Sequence, residues 1–330
     1  MSTTAGGETA TGPVPVAGTW LISRAGDFWL ACAGGGSLLV LMAVVLNWHG
    51  NRALDAADLL LSELHLGATY DAVIRGRLWR RMPLDVLIVP LCIVAVTVAL
   101  MASEQAMLLT TVTLYLAAWH RGRQNFGIAR YYQVRNGGAS SAVHDRLFRA
   151  AIYLPMAAGV LYFTSTSFLH EGQEYLSIDV DPGFIRALGV LAVVGLVAYL
   201  AYTVRNHERI HPGERWLVLA NALAFGSAYV LGAWSVSFIL VLVVHHEVQY
   251  LYFTYAMARR STFSSLGHAS GELRLFASFL IWPAIGLATW AICQRLEAAW
   301  VPAFLISGLL IHYWLDGRIW TRRARALAAA

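Results

Sequence analysis

Apolar stretches long enough to cross a bilayer recur along the whole chain, separated by short polar connectors. A transmembrane helix needs about 20 mainly apolar residues. The pattern predicts ten such helices, at residues 27–48, 54–76, 84–102, 106–129, 148–169, 184–204, 215–232, 234–258, 273–294 and 300–320. The predicted fold class is all-α, a polytopic integral-membrane helical bundle. One transmembrane domain, 25–322, lies between a disordered cytoplasmic tail, 1–24, and a short cytoplasmic tail, 323–330.

Composition supports the membrane prediction. Hydrophobic residues make up 58% of the chain and charged residues 13%, whereas a soluble domain is roughly half apolar and a quarter charged. The three cysteines, Cys32, Cys92 and Cys293, lie in apolar runs without a CxxC pair, so neither a disulfide framework nor a thiolate metal site is predicted. No basic residue precedes Arg24, and no cleaved signal peptide is expected.

The basic residues are distributed unequally between the two sides of the predicted bundle. All 24 basic residues are arginines, as in proteins from GC-rich bacterial genomes, and 21 of them fall on one side of the predicted bundle. Arg52, Arg186 and Arg295 fall on the other side. The positive-inside rule places the Arg-rich side, with both termini, on the cytoplasmic face of the membrane. The predicted membrane is a bacterial inner membrane. Topology thus explains the net charge of +5. Membrane lipids, not nucleic acid, are the expected partners of these loops.

Five of the eleven histidines lie inside predicted spans: His65, His120, His245, His246 and His312. Their helices are the second, fourth, eighth and tenth, which all run in the same direction through the membrane. Each histidine follows the start of its helix by 11 to 14 residues. At about 1.5 Å of rise per residue, the five side chains should lie at nearly one depth, close to mid-membrane.

A shared metal ion would explain this clustering. Ionisable groups at membrane depth are rare and usually functional. A single intramembrane histidine is more often an interhelical hydrogen-bonding residue, but one ion satisfies several imidazoles at once. The predicted ligands are His65, His120, His245 or His246 or both, and His312. Imidazoles without thiolates suit iron, copper or zinc. Non-haem iron is the expected cofactor, and copper and haem are the alternatives.

A polar residue follows His65, His120, His245 and His312 four places on, on the same helix face. These residues are Thr69, Gln124, Gln249 and Asp316, with Thr69 the weakest member. Metal-bound histidines usually need a partner on the second ring nitrogen. Gln124, Gln249 and Asp316 are therefore expected to orient the imidazoles, or to bind metal or substrate themselves.

Glu247 and Tyr250 are the candidate catalytic residues in the stretch "HHEVQY". Glu247 could accept a proton, bind a second metal or pair with an arginine such as Arg123. Aromatic residues are dense around these groups. Some of them could line a slot for a lipophilic substrate.

Together, the intramembrane His65, His120, His245 and His312 and the overall size resemble the Brp/Blh family of bacterial membrane β-carotene cleavage oxygenases. The resemblance is architectural. It implies an iron held by histidines from several helices, a hydrophobic tunnel and an oxygenase reaction on a lipophilic substrate. An electron donor is a possible further partner. Two alternatives stay open: a transporter or proton-conducting protein with a buried polar path, and a b-type haem electron-transfer subunit.

Overall fold

A computed structural model describes residues 20–32, 52–135, 141–165, 169–170, 173–176, 178–232, 238–263, 301–328 and parts of 277–295. The described residues are almost entirely helical, which confirms the predicted all-α class. The exception is a two-stranded antiparallel ladder, in which β1 (Leu169–His170) pairs with β2 (Gln173–Glu174).

The described residues include ten helices, α1 to α10 in chain order, of which α1 and α3 are short. They are α1 (Arg24–Gly26, continuing as a π-helical stretch, Asp27–Cys32), α2 (Arg52–Arg75), α3 (Leu78–Arg81), α4 (π-helical Leu84–Ile88, then Val89–Ala102), α5 (Ala106–Arg135), α6 (Ala142–Thr164), α7 (Pro182–Arg205), α8 (Pro212–Phe225, then π-helical Gly226–Leu231), α9 (Ile239–Phe263) and α10 (Val301–Ala328). The described positions between 277 and 295 are also helical. Residues 33–48 of the first predicted span, and much of the ninth, lie outside the described residues.

Helix α6 begins and ends several residues before its predicted bounds. This helix begins at Ala142 and ends at Thr164, whereas the apolar pattern predicted 148–169. Its polar first turn explains the early start. The Ser141 hydroxyl accepts a hydrogen bond from the His144 N–H at 3.1 Å, and Asp145 lies at the positive end of the helix dipole. An apolar-run criterion misses such a turn.

The end of the predicted disordered tail is part of the folded domain. Asp27 is fully buried, and its carboxylate accepts four hydrogen bonds. The donors are the Leu21 and Ile22 N–H groups and the hydroxyls of Tyr132 and Tyr252. Because Tyr132 lies on α5 and Tyr252 on α9, this carboxylate fixes residues 20–24 to both helices. Residues 1–19 lie outside the described residues.

Three described helices are long and apolar enough to cross a membrane: Leu84–Ala102, Ala142–Thr164 and Pro182–Arg205. The first and third also expose large apolar side chains; Leu84 is 69% exposed and Val190 62%. Soluble monomers rarely expose extended apolar patches, whereas lipid solvates them. These helices therefore indicate membrane association.

The four helices that carry His65, His120, His246 and His312 form a closed ring. Helices α9 and α10 each contact both α2 and α5. The helical residues between 277 and 295 pack closely on α2. A Cβ on Gly67 would lie 2.5 Å from the carbonyl oxygen of Trp282, and one on Gly286 would lie 2.5 Å from the Cβ of Glu63. Small residues such as these glycines permit close approach between helix backbones.

His211 lies between the predicted spans 184–204 and 215–232, yet it is buried and caps α8. Its Nδ1 accepts a hydrogen bond from the Gly213 N–H at 3.0 Å, and its ring stacks on Tyr132 with centroids 4.8 Å apart. Burial lowers the pKa of His211 below its ordinary value, against the opposing influence of Asp27 and Glu214.

We expect this cap to weaken in acid. The folded-state pKa of His211 is lowered, so the unfolded chain takes up the proton first, and stability falls as pH drops below about 6.5. Protonation also removes the Nδ1 acceptor. Asparagine caps helices well and does not titrate. The thermal midpoint of the wild type in detergent should therefore fall further between about pH 7.5 and about pH 5.5 than that of His211→Asn. Equal falls would contradict this role.

Candidate metal centre

Four buried imidazoles meet where the four histidine helices converge. They belong to His65 on α2, His120 on α5, His246 on α9 and His312 on α10, and each offers a ring nitrogen within 4.8 Å of the others. Metal–nitrogen distances of about 2.0–2.1 Å place the ligands of one ion roughly 3 to 4 Å apart. A small contraction of this group would therefore place all four nitrogens on one ion.

Only one member of the adjacent pair belongs to this group. Neighbouring residues on a helix point about 100° apart, and among the described residues the group contains His246 and not His245. His245 is fully buried on another face of α9. The i+4 pattern had singled out His245, because Gln249 follows it.

Gln124 and Gln249 connect helices, and within the described residues neither donates a hydrogen bond to an imidazole ring. The Gln124 side-chain amide donates to the backbone oxygen of His246 and to Oε1 of Gln249, both at 3.1 Å. The Gln249 amide donates to the Ala31 carbonyl at 2.7 Å. In this way they fix α9 against α5 and α1, and they act on the site through the backbone of His246.

Glu247 contacts the ring of His65. Its Oε2 accepts a hydrogen bond from Nδ1 of His65, and Ser62 Oγ lies 3.5 Å from Oε1. A carboxylate accepts from the nitrogen that bears the proton, so Nε2 of His65 keeps its lone pair. Of the alternatives predicted for Glu247, the ion pair with Arg123 is not found among the described residues; its partner is a histidine of the four-imidazole group.

Thr69 and Tyr250 form the corresponding network behind His312 and Asp316. The Thr69 hydroxyl lies 2.8 Å from Nδ1 of His312 and donates to Oδ1 of Asp316 at 2.9 Å. Since that hydroxyl donates to Asp316, it accepts from the His312 ring, which leaves Nε2 of His312 as the unprotonated nitrogen. Tyr250 also donates to Oδ1 of Asp316, at 2.8 Å, and stacks on His65 with ring centroids 3.8 Å apart.

Several polar atoms at the centre have no hydrogen-bond partner in the described structure. They are Nε2 of His65, Nε2 of His120, Nδ1 of His246 and Oδ2 of Asp316. Each buried unsatisfied polar atom costs about 1–3 kcal/mol. A metal ion would accept a lone pair from every one of them, so these residues fit a metal ion.

The charges of the site also fit a divalent cation. Glu247 and Asp316 are 6% and 2% exposed, and buried carboxylates need compensating charge. Histidines bind metals as neutral imidazoles, so they add no charge. The two positive charges of a divalent ion would offset the two carboxylates.

Thus geometry and charge identify four buried histidines that could hold a metal ion. Glu247, Thr69 and Tyr250 stand behind these ligands, and Asp316 faces them. Comparison with known proteins adds no family: no protein-family model, no curated protein and no solved structure matches this chain.

Proposed function

We propose that this protein is a metal-dependent oxidoreductase of a bacterial inner membrane, which acts on a lipophilic substrate at the four-histidine centre. The proposal includes ten membrane spans with both termini in the cytoplasm. The observation that carries it is the convergence of unpaired ring nitrogens from His65, His120 and His246 on one buried point. The alternative of a proton-conducting protein would instead require a chain of polar groups from one side of the bundle to the other.

Iron is the proposed metal, with copper as the alternative. Imidazole and carboxylate ligands without a thiolate are typical of non-haem iron sites that react with oxygen. The ring spacing supports a bare ion over a haem. The His65 centroid lies 4.4 Å from that of His312 and 4.6 Å from that of His246, and a porphyrin between these rings would have to displace them.

The chain's own residues would hold the ion, fix the ligand tautomers and exclude water. Glu247 and Thr69 leave one nitrogen of His65 and of His312 unprotonated. Tyr313 stacks on His120 with centroids 4.5 Å apart and so covers one face of that imidazole. Bound iron would supply a position for oxygen and a change of oxidation state. A site buried among apolar helices suits a substrate that enters from the bilayer.

Oxygen consumption tests this function. The resemblance to the Brp/Blh oxygenases makes β-carotene the first substrate to try, followed by quinols and unsaturated acyl lipids. Iron-loaded protein in nanodiscs should consume oxygen with one of these substrate classes, with a supplied reductant where the reaction requires one. Zinc-loaded protein should not, because zinc has no redox chemistry. Iron-loaded protein that stays inactive with every class would refute the proposal.

A further inference from the structure

The two carboxylate oxygens of Asp316 face different groups. Oδ1 accepts hydrogen bonds from the Thr69 and Tyr250 hydroxyls. Oδ2 points toward the imidazoles and has no hydrogen-bond partner in the described structure. The side chain is 3% exposed. One oxygen is thus anchored, while the other is buried and aimed at the centre.

The distances from Oδ2 are nearly equal. It lies 4.0 Å from Nε2 of His65, 3.8 Å from Nε2 of His120 and 3.7 Å from Nε2 of His312. An N–H···O hydrogen bond would be about 2.7–3.2 Å long, so these are not donor–acceptor pairs. They fall in the range of roughly 3 to 4 Å that separates ligands of one ion at normal bond lengths.

A purely orienting role for Asp316 does not fit these contacts. An orienting carboxylate accepts a hydrogen bond from the ring nitrogen that faces away from the metal. Those positions are occupied by other groups: Glu247 contacts Nδ1 of His65, and Thr69 contacts Nδ1 of His312. Asp316 instead faces the inward nitrogens.

We propose that Asp316 is itself a metal ligand, through Oδ2, and completes a sphere of four histidines and one carboxylate. The inference rests on the proposed function only in requiring a bound metal ion. Thr69 and Tyr250 are then positioning residues, which hold Oδ1 so that Oδ2 meets the ion. If the metal is iron, these five protein ligands would leave room for oxygen or substrate to bind beside them.

Cobalt(II) is a suitable probe because its visible spectrum reports ligand number and type. The full chain in detergent is stripped of metal, titrated with cobalt, and compared with Asp316→Asn. The matched control is Asp71→Asn. Asp71 is also a buried carboxylate, but it lies on α2, whereas Asp316 lies on α10. Loss of an outer partner costs about 10–100-fold in metal affinity. We expect Asp316→Asn to lose more than about 100-fold and to shift the cobalt bands, while Asp71→Asn keeps both the affinity and the bands of the wild type. Cobalt bands in Asp316→Asn like those of the wild type would overturn the proposal.

A measurement on the wild type keeps the test valid if Asp316→Asn fails to fold. Aspartate labelled with carbon-13 at its carboxyl group gives infrared bands that separate it from glutamate. The infrared difference spectrum between the metal-loaded and the metal-free protein should show a shift of a labelled aspartate carboxylate band. Metal that binds without this shift would refute Asp316 as a ligand. A wild type that binds no metal would instead refute the proposed function.

Discussion

Replacing His246 by alanine is expected to abolish tight metal binding, while the same change at the adjacent His245 preserves it. His246 belongs to the group of four converging nitrogens, and its Nδ1 has no hydrogen-bond partner in the described structure. Loss of this ligand should weaken binding by more than the about 10–100-fold that outer partners contribute. His245 lies on another face of α9 and supplies no nitrogen to that group.

The pair of variants controls for destabilisation, because both shorten a buried histidine of the same helix. His245 is fully buried and His246 is 3% exposed, so the two cavities are similar. The measurement is metal affinity by chelator competition, with the thermal midpoint of the metal-free protein as a check on folding. Metal loss in His245→Ala with retention in His246→Ala would reverse the assignment.

A second large effect is expected at Glu247. In Glu247→Gln the amide oxygen still accepts from Nδ1 of His65, but the negative charge is lost. The basicity of His65 and the attraction for the cation both fall, so metal affinity should drop by about 10–100-fold. The Ser62→Ala control should have a much smaller effect, because Ser62 Oγ lies 3.5 Å from the carboxylate. Equal affinity of the wild type and Glu247→Gln would remove Glu247 from the site.

The helices could be predicted because long apolar runs between polar connectors are typical of helices. Helices α2, α4 and α7 fall within two residues of the predicted bounds at each end. Polar turns could not be found in this way. The Ser141 cap extends α6 beyond its apolar run, and the Asp27 carboxylate fixes a segment whose composition resembles a tail. Both depend on individual hydrogen bonds.

The depth argument placed five histidines at a common level, and four of them, His65, His120, His246 and His312, cluster in the structure. It could not choose between His245 and His246, because that choice depends on how α9 is rotated in the bundle. Nor could it assign partners. Thr69 follows His65 by four residues yet contacts His312. Glu247 on α9 contacts His65 on α2. Such contacts arise only when the helices pack.

Metal content of the purified wild-type protein tests the central claim most directly. After reconstitution with iron(II) under nitrogen and removal of free ions, mass spectrometry of the metal should give about one ion per chain, as a single site requires. The His65→Ala and His312→Ala variants, treated in the same way, should hold far less. A folded wild type without stoichiometric iron, copper or zinc would contradict the account, and so would variants that keep the full amount.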